Sequence, residues 1–206
     1  MSSLYFKYGS MNSAKSADLL TTAYNYKEMG MTVILFKPKI DTRTTGTIKS
    51  RIGLEDQCTD IDRDFNFFSA MKVAQANSTK PIKAVLVDEA QFLTKEQIKQ
   101  LCNVVDELDI PVLAYGLRTD FLGNLFEGSQ WLLAWADKIE ELKGMCRCGK
   151  KATHVIRKDM YGEVTTSGDQ VQIGAEDTYV SMCRKHYNRA INVALQPKGV
   201  AARRYA

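Results

Sequence analysis

The sequence predicts an α/β protein: a mainly parallel sheet flanked by helices over residues 1–143, then a small β-rich unit over residues 144–190. Three observations predict it. Short apolar runs alternate with helical patterns as far as about residue 142, as strands joined by crossover helices require. The run KAVLVDEA (83–90) is apolar on successive positions, so it suits a strand buried on both faces. The composition then changes after Lys143, where short, turn-rich, β-like segments carry two clusters of cysteine and histidine.

In chain order, LYFKY (4–8) reads as the first strand. A helix follows from about Lys15, with Gly30 placed to cap its C-terminal end. TVILFKP (32–38) is the second strand, 83–90 the third and PVLAYG (111–116) the fourth. KEQIKQLCNVVDEL (95–108) has helical spacing, with Thr94 as its N-cap. SQWLLAWADK reads as helix and KIEELK as strand. Residues 39–66 are polar and rich in Thr, Asp and Arg, and read as a long functional loop. Residues 191–206 are small, basic and weakly patterned, and read as a disordered tail.

The 206 residues suit one large domain with a small appendage. The net charge of +4 lies largely in Lys198, Arg203 and Arg204 and around Arg147, Lys150 and Lys151. With no basic, aromatic-rich stripe, no nucleic-acid partner is expected; an anionic small ligand suits the charge. No apolar run approaches the ~20 residues of a membrane span, and residues 1–11 lack the apolar segment of a signal peptide. The expectation is therefore a cytoplasmic protein with no membrane partner, whose five cysteines are thiols or metal ligands.

The stretch GSMNSAKS (9–16) follows the first strand and opens the first helix. Gly9, Lys15 and Ser16 stand where a phosphate-binding loop needs them, with Ala14 in place of its second glycine. Such a loop, here Gly9, Ser10, Met11, Asn12, Ser13, Ala14, Lys15 and Ser16, turns backbone N–H groups onto phosphate oxygens at a helix N-terminus. Its lysine bridges phosphates and its hydroxyl binds Mg²⁺. An alanine at φ > 0 costs about 1 kcal/mol and removes none of these groups. A polar turn capping an ordinary helix is the rival reading of those eight residues when they are taken alone.

AVLVDEAQF (84–92) supplies the complement: an apolar strand ending in acids. Asp88 is placed to help hold Mg²⁺, and Glu89 to act as general base toward an acceptor hydroxyl. No Asn-Lys-x-Asp guanine reader is present, so a small-molecule kinase fits better than a GTPase. Cys146, Cys148, Cys183 and His186, in CRC and CRKH, match a tetrahedral structural Zn²⁺ site with no open position. The zinc would tie together the two ends of residues 149–182, which include QVQIGAEDTY.

Together LYFKYGSMNSAKS, DTR (41–43), SRIG (50–53), VDEAQFL, YGLRTDF (115–121), CRC, VQIGAEDTY and CRKH resemble the type II (cellular-type) thymidine kinase family, over residues 4 to about 187. The resemblance implies a P-loop NTPase-type sheet with a zinc-bearing lasso domain. It implies transfer of the ATP γ-phosphate to the thymidine 5′-hydroxyl, with Mg²⁺. Glu89 and Arg43 would be catalytic, and Gln91 would join the donor site. Met11, Phe92, Leu117, Phe121 and Phe126 would line the thymine pocket, with Val171, Gln172, Ile173, Gly174, Ala175 and Tyr179 forming the lasso. It further implies a homotetramer inhibited by thymidine triphosphate. The chain departs from the family pattern at Ala14 and at Ala175, where glycine is usual. The rival readings are another zinc-stapled nucleoside or nucleotide kinase, and a nucleotide-binding regulator without activity.

Overall fold

In the structure, a computed structural model, residues 1–41, 44–170 and 178–196 are described. They divide into two compact units. One comprises Met1–Gly9, Ser13–Arg118 and Leu125–Leu142; the other comprises Ser10–Asn12, Thr119–Asn124 and the described residues from Lys143 onward.

The first unit opens with β1 (Leu4–Gly9), α1 (Lys15–Glu28), β2 (Thr32–Pro38), β3 (Thr47–Lys49), β4 (Glu55–Gln57), β5 (Thr59–Ile61) and α2 (Phe67–Asn77). It continues with β6 (Ile82–Val87), a 3₁₀ turn (Ala90–Phe92), α3 (Lys95–Leu108), β7 (Val112–Leu117), α4 (Glu127–Trp135) and β8 (Lys138–Leu142). Six strands form one sheet in the order β5-β2-β6-β7-β1-β8, and every pairing in it is parallel. A parallel sheet covered on both faces needs apolar side chains on both, and the central strands supply them alternately. Val85, Val87, Val112 and Ala114 face a core shared with Phe67, Met71, Ile98, Leu101 and Leu132. Ala84, Leu86, Leu113 and Tyr115 face the other way, onto Leu19, Leu20 and Ala23 of α1. Each large apolar side chain buried there contributes about 1.5–3 kcal/mol.

Helix α3 starts at Thr94, whose hydroxyl accepts from Gln97 N while the Gln97 side chain accepts from Thr94 N, a complete capping box. Gly30, at φ 71, follows α1 as the left-handed stop the sequence anticipates. Three readings are corrected. The third strand ends at Val87 rather than 90, because the chain leaves the sheet at Asp88 and Glu89 adopts φ 50. Residues 39–66 hold a β3–β4 hairpin and the edge strand β5, not loop alone. Helix α2, which the sequence reading did not place, crosses between β5 and β6.

The second unit holds β9 (Gly144–Met145), β10 (Lys151–Ala152), β11 (His154–Lys158), β12 (Thr178–Met182) and α5 (Arg184–Ala194). Two antiparallel pairs, β9–β10 and β11–β12, surround a small core of Ala152, Ile156, Met182, Tyr187 and two cysteines. Residues 191–194, read as the start of a tail, are the end of α5. The remainder, 197–206, lies outside the described residues. Among the described residues, no helix is long and apolar enough to cross a membrane.

Candidate functional site

The turn from β1 into α1 is set by close packing. A Cβ on Gly9 would lie 2.2 Å from Ser13 Oγ and 2.6 Å from the Leu142 carbonyl, so only glycine lets the chain fold back here. Asn12 and Ala14 adopt φ 62 and φ 59, while Ser13 between them stays at negative φ. Alternation of left-handed and other residues at a strand-to-helix turn is a backbone pattern that anion nests use. Lys15 is buried at the head of α1. Ala14 thus occupies a conformation that disfavours L residues by roughly 1–2 kcal/mol.

Ser16 Oγ donates to Asp88 Oδ2 at 2.9 Å, joining the start of α1 to the end of β6. Asp88 is 3% exposed, and its Oδ1 has no hydrogen-bond partner among the described residues. Burial pushes this carboxyl up to about 7, and the charge of Glu89 adds to the rise; the Ser16 hydroxyl opposes it. A buried carboxylate with a spare oxygen beside a hydroxyl is the donor set a hard cation such as Mg²⁺ uses.

Glu89 caps the 3₁₀ turn with a left-handed φ of 50. Gln91 Nε2 donates to Glu89 Oε2 at 2.5 Å, and Gln91 Oε1 accepts from Leu117 N at 3.0 Å. Gln91, expected at the donor phosphates, spans from Glu89 to the end of β7. A Cβ on Gly116 would meet Gln91 Oε1 at 2.8 Å, and one on Gly128 would lie 2.3 Å from the Ala90 carbonyl, so two glycines admit this turn. Phe92 and Phe126 meet edge to face at 5.7 Å, with Leu117 buried in the same unit.

The sequence reading missed Lys37. It is 1% exposed at the end of β2, donates to the Thr44 carbonyl and hydroxyl and the Thr47 carbonyl, and lies 3.7 Å from Asp41 and 3.9 Å from Asp60. With Asp41, Thr44, Ser50 and Asp88 it lines a cavity of about 390 Å³. A lysine ending an apolar strand was the available signal.

In the second unit, Met11, Asn12 and Tyr179 line a cavity of about 270 Å³ with Arg147 and Ser181, and Ser181 Oγ donates to the Met11 carbonyl at 2.6 Å. Phe121 is fully buried in the same unit. Cys146, Cys148, Cys183 and His186 converge, with their ligand atoms all within 4.8 Å of one another. Cys146 Sγ is 3.3 Å and Cys183 Sγ 3.6 Å from His186 Nδ1, and Cys148 and Cys183 sulfurs are 3.9 Å apart. The edges of a tetrahedron with Zn–S near 2.3 Å and Zn–N near 2.0 Å are about 3.5–3.8 Å, so the cluster is compatible with zinc. Backbone hydrogen bonds at Cys148 and Cys183, then the His186 ring, draw the Cys146 thiol down to about 6, toward the thiolate a metal binds.

A family model described as thymidine kinase matches residues 2–187. Similar proteins include the thymidine kinases of Yersinia pestis, 51% identical over 94% of this chain and 98% of that one, and of Vibrio cholerae, 51% identical over 93% and 99%. That of Rhodopirellula baltica is 51% identical over 93% of this chain and 90% of its own. The chain belongs to the thymidine kinase family. It is an enzyme of that family, and its all-parallel sheet and Cys₃His cluster agree with the fold the sequence predicted. Of the residues expected to serve a thymidine kinase, Arg43, Val171, Gln172, Ile173, Gly174 and Ala175 lie outside the described residues.

Proposed function

We propose that the chain transfers the γ-phosphoryl group of ATP to the 5′-hydroxyl of thymidine, giving thymidine monophosphate. The observation that carries this is the division of labour at Asp88 and Glu89. One carboxylate is buried against Ser16 with an oxygen to spare, and its neighbour sits at a left-handed φ and is held by Gln91.

The N–H groups of residues 9–16 bind the donor phosphates, and Lys15 neutralises their charge. Asp88 and Ser16 are the residues that would hold Mg²⁺, which when bound offsets charge on the phosphate oxygens. Glu89 accepts the proton of the 5′-hydroxyl as that oxygen attacks the γ-phosphorus and ADP leaves. Arg43 adds positive charge at the phosphates. The residues the resemblance assigns to thymidine are Phe92, Leu117 and Phe126 of the first unit, Met11, Phe121 and Tyr179 of the second, and residues 171–175. A site built to match the imide edge of thymine rejects bases with another donor pattern. Zinc on the Cys₃His cluster is structural, since four protein ligands leave no open position. The same reading carries a cytoplasmic homotetramer in thymidine salvage for DNA synthesis, inhibited by thymidine triphosphate.

The test is to incubate the protein with ATP, Mg²⁺ and a panel of nucleosides and nucleotides and identify the product. Thymidine monophosphate is expected, and Glu89→Gln should lower kcat by about a hundredfold or more while thymidine binding persists. No turnover of any nucleoside would sink the proposal, and an unchanged rate in Glu89→Gln would remove Glu89 as the base.

A further inference from the structure

Arg157, on β11, is a charged side chain only 3% exposed. Its guanidinium lies over the Phe121 ring, 3.9 Å from the centroid. From the same plane Nη1 donates to the Asp169 carbonyl at 3.0 Å and Nη2 to the Ser167 carbonyl at 3.3 Å. Gly168, between those carbonyls, has φ 114, and a Cβ there would stand 2.8 Å from Nη2. The chain passes this close to Arg157 because residue 168 has no side chain.

The segment bearing Phe121 is fastened at two more points. The Asp120 carboxylate accepts from Leu122 N and Asn124 N at 2.9 and 2.8 Å through one oxygen, and from Gln170 Nε2 at 2.9 Å through the other. Tyr187 OH donates to the Phe121 carbonyl at 3.0 Å. Residues 120–121 and 167–170 are therefore held to each other, by Asp120 through Gln170 and by Arg157 through the ring and two carbonyls.

We infer that Arg157 is a positioning residue for nucleoside recognition: one guanidinium sets the plane of the Phe121 ring and anchors the backbone of residues 167–169. This rests on the reading that places Phe121 against the thymine base. A planar cation suits the task because it can stack on a ring and fork to two carbonyls at once, whereas a lysine ammonium offers a point charge that cannot do both. The stack covers one face of the ring, so the base meets the other face or the edge.

The experiment compares steady-state kinetics of the full-length, zinc-loaded wild type with Arg157→Met, Arg157→Lys and Phe121→Ala, varying thymidine and ATP separately. Arg157→Met keeps the bulk and loses the donors. It should raise the thymidine KM by about tenfold and the ATP KM by less than about twofold, with kcat moving less than the thymidine KM. Arg157→Lys should give an intermediate thymidine KM, and it serves as the test variant should the methionine protein not fold. Hydrogen exchange at residues 165–170 should speed up in both Arg157 variants, which a mere loss of global stability would not confine to that segment. The inference is overturned if the Arg157 variants keep a normal thymidine KM while Phe121→Ala raises it, or if both substrate KM values rise together. Failure of the wild type to phosphorylate thymidine, or a normal thymidine KM in Phe121→Ala, would instead overturn the functional reading beneath it.

Discussion

Asp88 carries a stability cost at the site proposed to hold the metal. Its carboxyl is pushed up to about 7 by burial and by Glu89, whereas an unfolded aspartate titrates near ~4. Between those values the folded protein holds the proton and the unfolded chain does not, so stability falls as pH rises from ~4 to ~7. Above that window the ligand-free fold bears the full cost of a buried charge. Asp88→Asn should remove it. The variant, free of metal and nucleotide, should be more stable than wild type at pH 8 by on the order of 2 kcal/mol, should show no gain near pH 4, and should lose turnover. Equal denaturation midpoints at pH 8 would refute this account of the site. Ala14 carries a smaller cost of the same kind, since φ 59 strains any residue with a Cβ. The placement of Lys15 and Ser16 at the head of α1 and of Asp88 and Glu89 just after β6 was legible because it depends on spacing along the chain. The contacts of Gln91, Lys37 and Arg157 were not. They depend on acceptors such as Leu117 N, 26 residues from Gln91, or on a stack with Phe121 that no local pattern encodes.

At the level of elements, boundaries were readable where local chemistry set them. The bounds of β2 and α3 coincide with the sequence reading because an apolar run and a capping box mark them. Strands β3, β4 and β5 are three residues each, too short for any period to register, and exist through their pairing. Helix α2 buries only Phe67 and Met71 of its eleven residues, so its apolar stripe is thin. Helix α4 has a role beyond packing. Its second residue, Gly128, sits against the Ala90 and Gln91 carbonyls, so the helix seats directly on the turn that follows Glu89. Ser129 Oγ adds a hydrogen bond to the Leu117 carbonyl. Gly128→Ala must push α4 and the turn apart, since the added methyl would meet backbone at 2.3 Å. The expected result is a loss of about 1–3 kcal/mol by denaturant unfolding together with a kcat at least about tenfold lower. A stable variant with full kcat would show that the turn tolerates displacement and that Glu89 is not positioned through it.

For the whole molecule, the two units differ in what holds them together. The sheet unit has large apolar clusters on both faces, but the described residues of the second unit bury a much smaller set, Phe121, Ala152, Val155, Ile156, Met182 and Tyr187 besides Cys146 and Cys183. A core that small rarely stabilises a fold without a cross-link. Zinc held by the cluster would provide one, joining residues 146 and 148 to residues 183 and 186, about 35 to 40 positions later in the chain. Metal binding there would be folding free energy, because the unfolded chain has no such site. Stripping the proposed zinc with a chelator should therefore split thermal unfolding in two. A low-temperature step would report the second unit, while the sheet keeps its circular dichroism to the original transition. Thymidine phosphorylation should disappear with the first step, because Phe121, Tyr179 and Arg157 all belong to that unit. Cys148→Ser, at the exposed member of the cluster, should reproduce the effect with little change in packing. Restoring one equivalent of Zn²⁺ should merge the transitions again in the wild type and not in the variant. A single transition at the original temperature in protein shown to be metal-free would mean the small core stands without its cross-link.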